Sequence, residues 1–185
     1  MEQQKKGKSM NTSKGAKEWL VNKQYDQLGR LWNEAQEREK QMLNNMPDKE
    51  AYAYLVSKLN LCDRKNASGC EEFGIHICEG DICFMDYGPA YLQESGYQHF
   101  GLILSICNHK AFIVPLSSNA KAYANAPNKV HLMRLGLVQG LNKRSVVFLN
   151  DARWINTSHI VDVKSHLETG SILFRQIRLN VMMLL

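Results

Sequence analysis

Proton-moving and phosphate-binding side chains sit at the ends of short apolar runs in this chain. Glu94, Gln98 and His99 precede one run, Ser117 and Ser118 follow the next, and Asp151 and Arg153 follow a third at 146–149. Imidazole titrates near neutral pH, a guanidinium binds phosphate bidentately, and a serine hydroxyl donates to a phosphoryl oxygen. That inventory suits RNA cleavage, in which the ribose 2′-hydroxyl is itself the nucleophile. The protein then supplies a base, an acid and stabilisation of a pentacoordinate phosphate, and needs no metal. Each residue also has a plainer reading. His99 fits a turn or strand edge, Arg153 beside Trp154 fits a structural stack or ion pair, and Ser117-Ser118 fits a strand end closed by local backbone bonds. His109 and His131 have no evident partner in the sequence.

The elements that must position these groups follow from the hydropathy pattern. Over 14–45, Leu20, Tyr25, Leu28, Leu31, Trp32, Ala35 and Met42 recur near helical spacing, with Glu34, Glu37, Arg38 and Lys40 opposite them. The run Asn44-Asn45-Met46-Pro47 stops that helix, and Asp48 opens a second one to about residue 61, carrying Tyr52, Leu55, Val56 and Leu59. A helical hairpin is expected, with a polar connector at 63–69 and a boundary near residue 70. Beyond it, six short apolar or β-branched runs at 80–85, 101–107, 110–116, 130–133, 145–149 and 160–163 read as strands. Asn108 marks a hairpin turn, 120–128 reads as a longer polar loop, and 166–185 regains helical spacing. Six such strands predict a small barrel, whose strand ends can converge on one groove.

With 185 residues, 44% apolar and 22% charged, the chain suits one soluble domain plus an appendage. No apolar run approaches the ~20 residues that cross a bilayer, and residues 1–14 lack the pattern of a secretory signal, so a cytoplasmic location without membrane attachment is expected. The net charge of +5 favours an acidic partner such as nucleic acid, although Lys5, Lys6, Lys8, Lys14 and Lys17 supply much of it from a leader at 1–13 and just beyond, expected to be disordered. Five cysteines cannot all pair, and a reducing compartment keeps them as thiols. Cys70, His76, Cys78 and Cys83 could organise a zinc domain, but no Cys-x-x-Cys knuckle seats the ion, and neither metal nor cofactor is expected.

A set of motifs adds to this reading. Gly80-Asp81-Ile82, Asp86-Tyr87-Gly88-Pro89, Glu94-Ser95-Gly96, Gly101-Leu102-Ile103-Leu104-Ser105 and Ile113-Val114-Pro115-Leu116-Ser117-Ser118 follow one another in order. In order and spacing, over roughly 80–162, they resemble the PemK/MazF family of toxin ribonucleases. The hairpin 100–118 is also similar to ToxN/AbiQ toxins. The resemblance implies an SH3-like barrel, often a symmetric homodimer, that cuts single-stranded RNA without metal and is covered by an antitoxin, either a protein or an RNA. The family's serine or threonine after "VPL" falls on Ser117, with Ser118 adjacent. The family's later "R-T-I-D" segment is similar to Arg153-Trp154-Ile155-Asn156. The arginine of its "RP" pair falls on His99, and the proline on Phe100.

The sequence therefore predicts an α+β chain: a leader at 1–13, a helical extension at 14–70, and a PemK/MazF-like barrel with a C-terminal helix at 71–185. His99, Ser117 and Arg153 are the expected catalytic residues, and Glu94, Tyr97, Gln98, Ser118 and Trp154 the expected RNA contacts, with aromatics available for stacking on splayed bases. The alternative is a barrel that has kept the fold without catalysis and binds RNA or a protein, since His99 stands where the family places arginine.

Overall fold

The computed structural model describes residues 28–184, so the expected leader and the first part of the helix expected from residue 14 lie outside the described residues. The chain divides into two compact units between Pro47 and Asp48. The first contains α1 (Leu28–Asn44), which buries no residue. Its surface carries bonds one turn apart, from Arg38 to Glu34 at 2.5 Å and from Gln41 to Glu37 at 3.0 Å.

The second unit opens with α2 (Asp48–Arg64), which has Asp48 and Glu50 in its first turn and Arg64 in its last, each complementing the helix dipole. The boundary expected near residue 70 therefore does not coincide with the division between units, because α2 is tied to the strands. Buried Ser57 donates to Asp86 at 2.6 Å, and Arg64 donates to the carbonyls of Ser158 and Ile160 at 3.2 and 2.8 Å. Helical periodicity locates α2 but not its docking face. Tyr52 and Leu59 are 72% and 66% exposed, whereas polar Ser57 is buried.

Seven strands follow: β1 (Asp81–Asp86), β2 (Gln98–Cys107), β3 (Lys110–Ser117), β4 (Leu132–Gly136), β5 (Ser145–Phe148), β6 (Arg153–Asn156) and β7 (Ile160–His166). All pairings are antiparallel, in the order β4-β5-β3-β2-β1-β7. One edge of β3 is shared, its first half by β6 and its last two residues by β5. The sheet curls until the Ser165 hydroxyl of β7 donates to the carbonyl of Gln139, just past β4. The fold is thus α+β, a curled antiparallel sheet with a C-terminal helix, here α4 (Ile172–Leu184).

Two differences from the expected elements have local causes. The strand β6, absent from the six expected, has only four residues, Arg-Trp-Ile-Asn, too few to show alternation. The loop expected at 120–128 contains α3 (Ala120–Asn125), fixed by the Asn119 side chain, which accepts from the amides of Lys121 and Ala122 at 2.9 and 3.0 Å. The β2–β3 hairpin turns at Asn108 and His109, both at positive φ (46° and 58°), the backbone a two-residue turn of this hand requires.

Both faces of the central strands are covered, which is why their apolar runs are nearly continuous. On one face Ile82, Leu102, Val114, Leu116 and Val147 meet Phe174, Ile177 and Val181 of α4. On the other, Cys83, Met85, Ile103, Ile113 and Ile155 meet Cys70 and Ile160, with Tyr87 packed at the margin.

Candidate active site

Residues directly opposite on antiparallel strands share a face, as do alternate residues of one strand. His99 is opposite Met85 of β1, Gly101 is opposite Cys83 and Pro115, and Ile113 is opposite both Ile103 and Arg153. His99, Ser117 and Arg153 therefore lie on one face, that of the cluster around Ile103. Phe100 opposite Leu116 is the last pair between β2 and β3, so Ser117 stands beside His99 one step beyond it.

Arg153 enters this face two alternate positions from Ser117, about 13 Å along the strand, so only the course of its side chain could bring it near. The guanidinium lies 5.0 Å from the ring centre of Tyr87 and donates to the Ser95 carbonyl at 2.6 Å. Ser95 is held in turn by Asp151, whose carboxylate accepts from the Ser95 amide at 3.1 Å and its hydroxyl at 2.6 Å. Tyr87 spans the remaining gap. Its hydroxyl donates to the Phe100 carbonyl at 3.4 Å and lies over Gly101, where a Cβ would come within 2.3 Å of it. Gly101 is the neighbour of His99 on the same face. Burial raises the Tyr87 pKa, and the Arg153 charge opposes without reversing it, so the phenol stays neutral. Sequence reasoning gives Tyr87 no role. Its signal is the bare Gly101 inside an apolar strand, a place where something approaches the backbone closely.

His99 is exposed, and its imidazole accepts or donates no hydrogen bond among the described residues. Enough protein surrounds the ring that desolvation lowers its pKa below the usual 6.5, leaving it neutral at neutral pH with a nitrogen lone pair available. Ser117 accepts from the Asn119 amide at 3.1 Å, as the plainer reading expected, while its own proton remains available to donate. Ser117, exposed Ser118, Phe100 and Lys143 border a shallow cleft of about 50 Å³. Lys143 is a further cation that strand-end reasoning missed, because it lies in the loop between β4 and β5.

The other expected contacts divide. Gln98 is occupied, its amide donating to Ser57 at 2.7 Å and to Asp86 and the Ala53 carbonyl at 3.2 Å. Trp154 lies on the opposite face from Arg153, against Phe112 with ring centres 5.3 Å apart, and is half exposed. Glu94 closes an exposed turn by accepting from the Tyr91 amide at 3.1 Å. Tyr97, at φ 54°, exchanges backbone bonds with the turn, its carbonyl accepting from Tyr87 at 2.8 Å and its amide donating to Gly88 at 2.7 Å. A cavity of about 350 Å³ that Tyr87 also borders is lined by Asn60, Arg64, Asp86 and His159.

Cys70 and Cys83 are fully buried in the apolar cluster, and burial is the main cause of the rise in both thiol pKa values. Among the described residues, the ligand-bearing groups that converge are not Cys70, His76, Cys78 and Cys83 together; Cys78 instead meets Asp81 and His166.

No protein-family model and no curated protein matches this sequence. Solved structures similar to it are MazF from Deinococcus radiodurans (17% identity, 60% of this chain and 97% of that one, TM-score 0.46), an endoribonuclease in complex with its cognate antitoxin from a mycobacterial species (11%, 59% and 94%, TM-score 0.43), and the Mycobacterium tuberculosis toxin MazF-mt6 (13%, 56% and 90%, TM-score 0.38). Among the described residues, no helix is long and apolar enough to cross a membrane.

Proposed function

We propose that the protein is a toxin-type endoribonuclease that cleaves single-stranded RNA without metal. The observation that carries this reading is the alignment of His99, Gly101-Tyr87 and Arg153 along one sheet face, with Ser117 beside His99. In this reading, neutral His99 takes the proton of the ribose 2′-hydroxyl as its oxygen attacks phosphorus. The bond to the 5′-oxygen breaks, leaving a 2′,3′-cyclic phosphate, and the departing 5′-oxygen takes a proton from water to become a hydroxyl. Arg153 and the Ser117 hydroxyl stabilise the charge on the phosphoryl oxygens, and Lys143 adds a cation at the cleft. Glu94, Tyr97 and Ser118 are the proposed flanking RNA contacts, whereas Trp154, on the opposite face from Arg153 and against Phe112, is not. The proposed partners are a second copy of the chain and a cognate antitoxin.

The purified protein is expected to cut single-stranded RNA in excess EDTA and to leave cyclic phosphate ends. His99→Ala is expected to lower the rate by about 100-fold or more, the usual share of a positioned acid or base. Cleavage unchanged in the His99→Ala, Arg153→Ala double variant would overturn these roles. RNA that is bound but uncut by the unmodified protein favours the barrel as a binding module instead.

A further inference from the structure

Three ligand-bearing side chains converge where β1 begins and β7 ends, four residues along β1 from Met85, the residue opposite His99. Cys78, Asp81 and His166 each offer one ligand atom, and these lie within 4.8 Å of one another. The separations are 3.8 Å from sulfur to Nδ1 and 2.9 Å from Nδ1 to the carboxylate. Tetrahedral zinc, with bonds of about 2.3 Å to sulfur and 2.0–2.2 Å to nitrogen and oxygen, spaces its ligands at roughly 3.3–3.8 Å. The cluster is close to that already. A proton relay is a poorer description, because relay through imidazole uses both ring nitrogens and here Nδ1 faces both partners.

Backbone features build the arrangement. Asp81 and His166 are opposite each other in the β1–β7 pairing, and Gly80 at φ 94° leaves space for the imidazole, since a Cβ there would meet His166 Cε1 at 2.9 Å. Asp81 is buried, and its second oxygen accepts from the Cys78 amide at 2.7 Å, which holds the first oxygen toward the histidine.

The geometry points to a structural site for a divalent ion of the zinc class, held by Cys78, Asp81 and His166 with a fourth position open to water. Mixed sulfur, nitrogen and oxygen donors suit zinc rather than magnesium or calcium. The ion clamps the start of β1 to the end of β7 and takes no part in RNA cleavage.

The test uses the full-length, untagged protein with reduced thiols, stripped of metal and titrated with Co²⁺ and then Zn²⁺. One equivalent of Co²⁺ is expected to produce a thiolate-to-cobalt absorption band, which Zn²⁺ abolishes by displacement. Cys78→Ser is expected to remove the band, and His166→Gln to weaken zinc binding by roughly tenfold or more. Cys62→Ser and Cys107→Ser, which alter the other exposed thiols, should leave both unchanged. Zinc should raise the melting temperature of the unmodified protein and not that of Cys78→Ser, whose unaltered circular dichroism shows that the exposed position tolerates the change. Absence of the band in the unmodified protein, or its persistence in Cys78→Ser, overturns the site.

Discussion

At the scale of single residues, the imidazole of His99 decides what its position on the sheet face can do. An arginine there is always charged, whereas His99 has its pKa lowered by desolvation and is a base over most of the physiological range. The sign of the pH dependence follows. If neutral imidazole takes the 2′-hydroxyl proton, log kcat/KM rises with pH through a midpoint below the ordinary 6.5 and is level above it. His99→Gln should lose that acidic limb, and a profile that still bends at the same pH removes His99 from the proton transfer. Gly101 provides an independent check on the same face. A methyl group there would come within 2.3 Å of the Tyr87 hydroxyl and 2.8 Å of Met85 Sδ; the thioether can move, but the tyrosine carries the Arg153 stack. Gly101→Ala is therefore expected to lower kcat/KM by up to about 100-fold, as for a comparable misplacement of catalytic groups. Circular dichroism should be unchanged, and unaltered kinetics would show that Tyr87 does not position the arginine.

At the scale of elements, α2 is held to the barrel by polar groups. Asp86 is 3% exposed and accepts from Ser57 at 2.6 Å, from the Gly88 amide at 3.0 Å and from Gln98 at 3.2 Å. Ser57→Ala removes one of these bonds from a buried carboxylate, and should cost about 1–3 kcal/mol by the usual penalty for such a loss. Urea unfolding would read this as a lower midpoint at constant slope, and an unchanged midpoint would mean that Asp86 finds another donor. This joint also shows what the sequence could reveal. Apolar runs at 82–85, 102–104 and 113–116 were legible as strands because both their faces are buried, and the Asn-His hairpin because of its turn residues. The α2 stripe of Tyr52, Leu55 and Leu59 gave the helix but not its docking, since Ser57 faces the barrel and becomes informative only when Asp86 is beside it. The candidate site was legible in the same uneven way. His99, Ser117 and Arg153 stood out by type, but the link between them passes through Tyr87 and Gly101, 14 positions apart in the chain, and the Ser95–Asp151 pair, 56 positions apart. Gln98 looked like a free contact until its amide was found committed to the α2 joint.

At the scale of the whole molecule, the division between Pro47 and Asp48 and the anchoring of α2 make a prediction about which part of the chain folds as a unit. A chain beginning at Asp48 retains Ser57, Arg64 and every partner they bond. A chain beginning at Ser68 loses both the Ser57 bond to Asp86 and the Arg64 bonds to the Ser158 and Ile160 carbonyls, which lie at the start of β7. It also loses the Arg64 guanidinium stacked 4.1 Å from the Phe73 ring centre. These are several independent losses, one of them at a buried carboxylate, and a domain of this size shifts its melting temperature by roughly 3–5 °C for each kcal/mol. The Asp48 chain is expected to melt cooperatively within a few degrees of the full protein, and the Ser68 chain roughly 10 °C or more below it. The comparison separates α2 as part of the barrel's own fold from α2 as an appendage. Equal melting of the two shortened chains would assign it to the appendage and return the functional barrel to a boundary near residue 70. A marked loss in the Asp48 chain as well would mean that residues before Asp48 contribute to the stability of the second unit.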